Sequence, residues 1–261
     1  MSNSVSSSPW CFIVTGIPRS GTSLFSALLN SCPGVVCLNE ILYNVDSLHA
    51  DLLNIKGSLE RGEPAPNKYN QAGELTTDTT ISCEVKKLTR ITPGGNVVLG
   101  SKVNYPYLEA FDRIRKLKCP VFALVRDPVY TIASWSSSKA INIPEFEVGP
   151  PPLPMRRRWD SFPFQTTNPV SRRAELWNHM AGLIIDNESH LSVVHYETLV
   201  SAPHVVLANC CAELHRQFTS ELPDVFDGNI SSRFVSEGVN LEEIRDAVRR
   251  FAPRRLLLGY E

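Results

Sequence analysis

The sequence predicts a three-layer α/β fold in which helices flank a central, mostly parallel sheet. Short, nearly continuous apolar runs predict its strands, at residues 10–15, 96–99, 121–125 and 191–194. Such runs are typical of strands that are buried on both faces of a parallel sheet. Segments with apolar residues at helical spacing separate these runs, as expected where helices connect parallel strands. Because 261 residues are enough for one such core, we expect a single domain over residues 1–261.

Apolar periodicity and capping residues predict the outer layers. We expect helices at residues 24–30, 42–59, 107–118, 128–139, 169–187, 203–218 and 240–251. The start of the fourth helix is the best marked, since Asp127 can cap it and Pro128 suits its first turn. Residues 63–80 have the composition of a loop, and we interpret the proline-rich segment at about 141–168 as a lid or insertion.

Composition excludes several classes of protein. A formal net charge of −1 provides no general attraction to nucleic acid. The serine-rich start does not resemble a signal peptide, and no apolar run has the length of a bilayer, so we expect a cytoplasmic protein without a membrane segment. Seven cysteines without a C-x-x-C pair, and six scattered histidines, predict reduced thiols and no metal site. The sequence contains no signal for the oligomeric state.

A glycine-bracketed loop, G-I-P-R-S-G-T-S at residues 16–23, connects the first strand to the first helix. Gly16 and Gly21 permit tight turns, and the helix that follows offers unpaired N–H groups to an anion. The spacing matches the Walker A pattern G-x-x-x-x-G-K-[ST], except that Thr22 replaces the lysine and the cation is Arg19. We therefore predict a P-loop-like phosphate site that is not built for ATP.

Basic side chains follow three of the predicted strands. Arg19 lies in the loop, Lys102 follows the second strand and Arg126 follows the third. Ligands of α/β sheets bind beyond the carboxyl ends of the strands. Two separate cationic centres at that edge predict a ligand with phosphates at both ends.

These motifs resemble those of sulfotransferases that use 3′-phosphoadenosine 5′-phosphosulfate (PAPS). The family's [KR]-S-G-T-[TS] loop, which binds the 5′-phosphosulfate, matches residues 19–23. Its R-D-P element, with a serine eight residues after the arginine, binds the 3′-phosphate and matches Arg126 and Ser134. A Y-E-x-L element near the nucleotide matches Tyr196. The resemblance thus implies a set of donor-binding residues: Arg19, Ser20, Gly21, Thr22, Ser23, Arg126, Ser134 and Tyr196.

Among these enzymes the sequence is most similar to tyrosylprotein sulfotransferases and related bacterial enzymes. In that branch a glutamate 21 residues after the loop arginine is the general base, which corresponds to Glu40. The branch also implies that Lys102 and Arg19 assist transfer, without a metal. The branch has a second basic residue twelve positions after the strand-end arginine, and Ser138 occupies that position here. Lys139 or residues 156–158 are therefore candidates for this contact with the 3′-phosphate. The resemblance implies an acceptor hydroxyl on an unidentified small molecule, carbohydrate, lipid or peptide.

Two other functions remain open at this level. One is a P-loop kinase-like phosphotransferase in which Asp127 holds Mg²⁺, and the other is a nucleotide-binding module without catalysis. Individual residues also have simpler interpretations. Glu40 could be a favourable charge at a helix N-terminus, Lys102 a solvated loop lysine and Tyr196 a core aromatic.

Overall fold

The computed structural model describes residues 9–61, 63, 67–69, 75–76, 97–137, 162–218 and 238–261. At its centre lies a five-stranded sheet, whose strands are β1 Cys11–Gly16, β2 Val35–Asn39, β5 Val98–Lys102, β6 Val121–Val125 and β7 Ser192–His195. Their order in the sheet is β2-β5-β1-β6-β7, and every neighbouring pair is parallel. A separate antiparallel pair consists of β3 Asn67–Tyr69 and β4 Leu75–Thr76. The predicted α/β class with a parallel sheet is confirmed.

Helices and short 3₁₀ turns form the outer layers. The helices are α1 Thr22–Leu29, α2 Leu48–Glu60, α3 Tyr105–Glu109, α4 Phe111–Ile114, α5 Pro128–Ser137, α6 Pro169–Ile185, α7 Tyr196–Ser201, α8 Pro203–Glu213 and α9 Leu241–Phe251. The 3₁₀ turns are Arg115–Leu117, Glu188–His190 and Pro253–Leu258. No helix in the described ranges is both long enough and apolar enough to cross a membrane.

The sheet is buried on both faces. Phe12 and Val14 of β1 pack with residues of α1 and α8 on one face. Cys11 and Ile13 point to the other face, where they pack with residues of α2 and α4. Farther along that second face, α3, α5, α6 and α9 share one cluster that includes the fully buried Trp177. This two-sided burial explains why the strands are nearly continuous apolar runs in the sequence.

The helix predicted at residues 42–59 is too long, because α2 begins only at Leu48. The backbone carbonyl of Leu42 instead accepts a hydrogen bond of 2.6 Å from the Tyr107 hydroxyl. This bond stabilises a non-helical path for the chain after β2. Strand β2 itself was not among the predicted strands, and part of the segment predicted as a loop at residues 63–80 forms β3 and β4.

The helix predicted at residues 107–118 is also different in the structure. It begins at Tyr105, breaks at Ala110, whose φ is −93° and ψ is 19°, and ends in a 3₁₀ turn. The helix predicted at 203–218 ends at Glu213. The remaining predicted helices agree with the structure to within about two residues, although residues 138–139 lie outside the described chain. Of the proline-rich segment, only residues 162–168 are described, and they form no helix or strand.

We expect Gly16→Ala to lower the free energy of unfolding by about 2 kcal/mol or more. Gly16 has φ +144°, and a Cβ atom there would lie 2.4 Å from the carbonyl oxygen of Leu124 in β6. Gly57→Ala in α2 is the matched control, since its Cβ would meet nothing closer than 3.4 Å. That control should be neutral or stabilise by up to about 1 kcal/mol. Urea unfolding measures both, and equal stabilities of the two variants would contradict the expectation.

Candidate functional site

The loop between β1 and α1 has an unusual backbone. Gly16, Arg19 and Gly21 all have positive φ angles, of 144°, 71° and 82°. Gly21 is the N-cap of α1 and provides no side-chain hydrogen bond to the helix. The first N–H groups of α1 therefore lack a side-chain cap, and such groups are a favourable environment for an anion.

Small polar side chains line this loop. Ser20 and Thr22 are buried, and Ser23 is partly buried. The Oγ atom of Ser20 is buried and has no hydrogen-bond partner in the part of the chain that the structure describes. Because an unpaired buried hydroxyl is unfavourable, a hydrogen bond from this atom to a bound ligand would stabilise the loop.

Arg19 and Arg126 connect the loop to the end of β6. The Nε atom of Arg19 donates to the Oγ of Ser134 in α5 at 3.0 Å. The Nη1 atom of Arg126 donates to the backbone carbonyl of Arg19 at 3.3 Å. Trp135 also holds the loop, through a bond of 3.0 Å from its Nε1 to the carbonyl of Pro18. The structure thus brings Arg19, Arg126 and Ser134, predicted from two separate motifs, into one place.

Tyr196 lies between the loop and Arg126. The guanidinium carbon of Arg126 is 4.4 Å from the centre of the Tyr196 ring, in a cation–π arrangement. On the loop side, a Cβ atom at Gly21 would lie 2.4 Å from Cδ2 of that ring. Arg126 is only 8% exposed, and burial lowers the pKa of its guanidinium. The ring face and the carbonyl of Arg19 stabilise this cation.

A set of hydrogen bonds behind Arg126 fixes the start of α5. The Oδ1 atom of Asp127 accepts from the N–H of Val129 at 2.7 Å, so Asp127 caps the helix as the sequence predicts. The N–H of Asp127 donates to Oε1 of Glu197 at 3.0 Å. The Tyr260 hydroxyl donates to Oε2 of Glu197 at 3.0 Å and lies 3.1 Å from Nδ1 of His195.

Burial shifts the pKa values of two groups in this network. Burial raises the pKa of Asp127, and burial together with the charge of Glu197 raises the pKa of Tyr260. The tyrosine hydroxyl therefore stays protonated and remains a donor to Glu197. The sequence did not assign a role to Glu197, although it belongs to the Y-E-x-L element.

Glu40 and Lys102 form an ion pair at the ends of neighbouring strands. The Nζ atom of Lys102 lies 2.6 Å from Oε1 of Glu40 and donates to Oγ of Ser23 at 3.2 Å. Asn39 and Lys102 are paired in the register of β2 and β5, and the N–H of Glu40 donates to the carbonyl of Lys102 at 2.8 Å. Asn104, which the sequence did not single out, approaches Oε1 of Glu40 at 3.5 Å.

The burial of Lys102 and the position of Glu40 argue against the simpler interpretations of these two residues. The side chain of Lys102 is 1% exposed, so it is not a solvated loop lysine. Glu40 precedes α2 by several residues and is therefore not a charge at its N-terminus. Its side chain is 30% exposed, so part of the carboxylate faces the outside. Ser23 is the connection between this pair and the phosphate loop.

All ten predicted site residues thus lie at one edge of the sheet, in two adjoining groups. Lys139 and residues 156–158, the candidates for a further phosphate contact, lie outside the described residues. Within the described ranges, no group of three or more His, Cys, Asp or Glu side chains has the arrangement of a metal site.

Comparison with solved structures identifies the fold. The sulfotransferase domain from the curacin biosynthetic pathway has a TM-score of 0.50 and 15% identity, over 97% of this chain and 98% of that domain. The sulfotransferase domain of the Synechococcus PCC 7002 olefin synthase has a TM-score of 0.46 and 20% identity, over 94% of each chain. A sulfotransferase from Alicyclobacillus acidocaldarius has a TM-score of 0.43 and 16% identity, over 97% and 96%.

No protein-family model matches the chain, and the search of curated proteins found no match. The motif resemblance is therefore confirmed as a likeness of fold. The curacin-pathway domain carries this conclusion, since its alignment spans nearly all of both chains.

We expect Glu40→Ala to destabilise the fold more than Lys102→Met does. The first change leaves an almost fully buried ammonium without its carboxylate, at a cost of about 1–3 kcal/mol. The second removes the buried charge, fills the same space and leaves a carboxylate that is already 30% exposed. Urea unfolding of both variants measures the difference. A larger loss for Lys102→Met would mean that the lysine, and not the pairing, carries the stability.

Proposed function

We propose that this chain, which has the fold of sulfotransferase domains, transfers a sulfuryl group from PAPS to a hydroxyl of an acceptor. The observation that carries the proposal is that two groups of motif residues lie next to each other at one edge of the sheet. One group is the loop with Arg126 and Ser134, and the other is the ion pair of Glu40 and Lys102. Nearly the whole chain aligns with one sulfotransferase domain, which supports a single domain over residues 1–261.

The loop region suits a donor with separated anionic groups. The uncapped start of α1, the buried hydroxyl of Ser20 and the side chains of Arg19, Thr22 and Ser23 would hold the 5′-phosphosulfate. Arg126 and Ser134 would bind the 3′-phosphate, and the ring of Tyr196, which already packs against Arg126, would lie beside the nucleotide. A hydrogen bond from Arg126 to the backbone carbonyl of Arg19 joins the two parts of this proposed donor site.

The proposed reaction is an in-line displacement at sulfur. The acceptor oxygen forms a new bond to sulfur while the bond from sulfur to the 5′-phosphate oxygen breaks, and adenosine 3′,5′-bisphosphate leaves with that electron pair. Glu40 takes the proton of the acceptor hydroxyl. Lys102 and Arg19 stabilise the negative charge that develops on the leaving phosphate and on the sulfuryl oxygens.

Glu40 is suited to this role by its position. It lies next to the buried Lys102 and also reaches the exterior, so an acceptor can approach it from outside while the lysine faces the donor. Positive φ at Glu40, of 56°, turns the chain sharply after β2. Holding acid–base and charge-stabilising groups at fixed separation is where much of the rate enhancement of such transfers arises.

The kinase-like alternative assigns Mg²⁺ binding to Asp127. In the structure one carboxylate oxygen of Asp127 accepts a bond from the N–H of Val129, as a helix cap. This use of Asp127 favours the sulfotransferase proposal. The third possibility, a nucleotide-binding module without catalysis, is tested by turnover.

We expect adenosine 3′,5′-bisphosphate to raise the melting temperature without Mg²⁺ and to do so more than Mg·ATP does. Arg126→Ala and Arg19→Ala should each reduce this shift and weaken binding by about tenfold or more, because each removes a charge-assisted contact. Arg113→Ala, an exposed arginine paired with Asp46, is the control and should bind normally. A larger shift with Mg·ATP would favour the kinase-like function.

We expect Glu40→Gln to bind adenosine 3′,5′-bisphosphate within about threefold of the parent chain but to lose about 10²-fold or more in turnover. The amide keeps the shape of the carboxylate and cannot accept the proton. Turnover is measured as transfer of label from ³⁵S-PAPS to an extract of the source organism. Glu60→Gln, an exposed change in α2, is the control. Full activity of Glu40→Gln would eliminate Glu40 as the base.

A further inference from the structure

A cavity of about 610 Å³ lies on the face of the sheet that carries α3, α6 and α9. It is bounded by the first of these helices, the middle of the second and the 3₁₀ turn Pro253–Leu258. Its volume is in the range of small-molecule sites. None of the described residues that line it belongs to the loop, to the Glu40–Lys102 pair or to the set around Arg126.

The most unusual group in this cavity is the carboxylate of Glu175. The residue is 9% exposed, and its Oε2 atom accepts from the N–H of Gln165 at 2.8 Å. Its Oε1 atom is buried and has no hydrogen-bond partner among the residues described. No lysine, arginine or histidine in the described ranges forms an ion pair with it. Glu175 lines the cavity, and a buried carboxylate with an unsatisfied oxygen is costly, so a ligand that forms a hydrogen bond with this carboxylate would reduce the cost.

Aromatic rings form a wall of the same cavity. His179 lies in edge-to-face contact with Tyr105, with ring centres 6.2 Å apart, and with Phe162, at 5.2 Å. Burial lowers the pKa of His179, so its ring is neutral near pH 7. This wall offers an apolar surface to a ring or a branched side chain.

Arginines line the cavity on the side of the C-terminal turn. The backbone N–H of Arg254 donates to Oδ1 of Asn178 at 2.9 Å, and its Nη1 donates to the carbonyl of Asn178 at 3.3 Å. The guanidinium also packs against α6, since a Cβ at Gly182 would lie 2.4 Å from its Nη1 atom. Two guanidinium groups, of Arg250 and Arg254, and two carboxylates, of Glu109 and Glu175, thus line the same cavity.

We propose that this cavity binds a small zwitterion, an α-amino acid with an aromatic or branched apolar side chain. Its ammonium group would donate to Glu175, its carboxylate would face Arg254, and its side chain would pack on the wall of Phe162 and His179. Balanced lining charges suit a ligand with no net charge but with both kinds of charged group. The site is separate from the proposed donor site and does not depend on sulfuryl transfer.

Thermal shift and calorimetry with the standard amino acids test the proposal, with phenylalanine as the leading probe. Phenylalanine should bind and raise the melting temperature, and phenethylamine and 3-phenylpropionate should each bind about tenfold or more weakly because each lacks one charged group. Phenylalanine has no hydroxyl side chain, so it is not a sulfuryl acceptor. If phenylalanine failed to bind, the cavity proposal would be wrong, but the binding of adenosine 3′,5′-bisphosphate at the donor site would not be affected.

Two variants identify the contacts. Glu175→Gln should weaken the binding of phenylalanine by about tenfold or more. Glu188→Gln, a change at an exposed residue, should leave this affinity unchanged. Arg254→Met keeps a side chain over Gly182 and should make phenylalanine and phenethylamine bind equally.

A structural role for Glu175 would give a different result. Without ligand, Glu175→Gln should leave the melting temperature unchanged or raised, because the amide removes an unpaired buried charge. A lower melting temperature with unchanged affinity would overturn the proposal, as would no response to any standard amino acid.

Discussion

The parallel register of four adjacent strands is the constraint on which the candidate site depends. It places the carboxyl ends of β2, β5, β1 and β6 along one edge, so that residues far apart in the chain become neighbours. Asn39 pairs with Lys102, and Gly16 pairs with Leu124. Because side chains alternate between the two faces of a strand, a slip of one residue would turn Lys102 away from Glu40. The close approach of Gly16 to β6 leaves no room for a side chain that would shift this register.

Two buried cations at this edge are stabilised in different ways. Lys102 has a carboxylate partner and a serine hydroxyl, so its charge is largely balanced within the protein. Arg126 lies against the face of Tyr196 and a backbone carbonyl, which compensate a cation only partly. The charges of Glu197 and Asp127 also act on Arg126, but no carboxylate in the described part of the chain forms a direct ion pair with it, so we expect its guanidinium to attract an anion. A chain with a formal net charge of −1 can in this way carry a strongly anion-attracting edge.

The loop edge of the sheet and the cavity between α3 and α6 differ in the balance of their charged groups. The loop edge combines arginines with an uncapped helix start and so favours a ligand with several negative charges. The cavity between α3 and α6 combines carboxylates with guanidiniums and a neutral imidazole, and so favours a ligand without net charge. In both places a buried polar oxygen, of Ser20 or of Glu175, lacks a hydrogen-bond partner among the described residues. Such atoms are where bound molecules gain the most from one hydrogen bond.

The sequence by itself determined the parallel sheet, the phosphate-type loop and the capped start of α5, because each is encoded by neighbouring residues. Continuous apolar runs reflect burial on both faces, and Asp127 caps a helix that begins at the next residue. Tertiary structure decided the rest. Tyr107 fixes the carbonyl of Leu42 across 65 positions, and Lys102 meets Glu40 across 62. Local pattern does not encode such pairs, since they exist only once the strands have aligned and buried the side chains together.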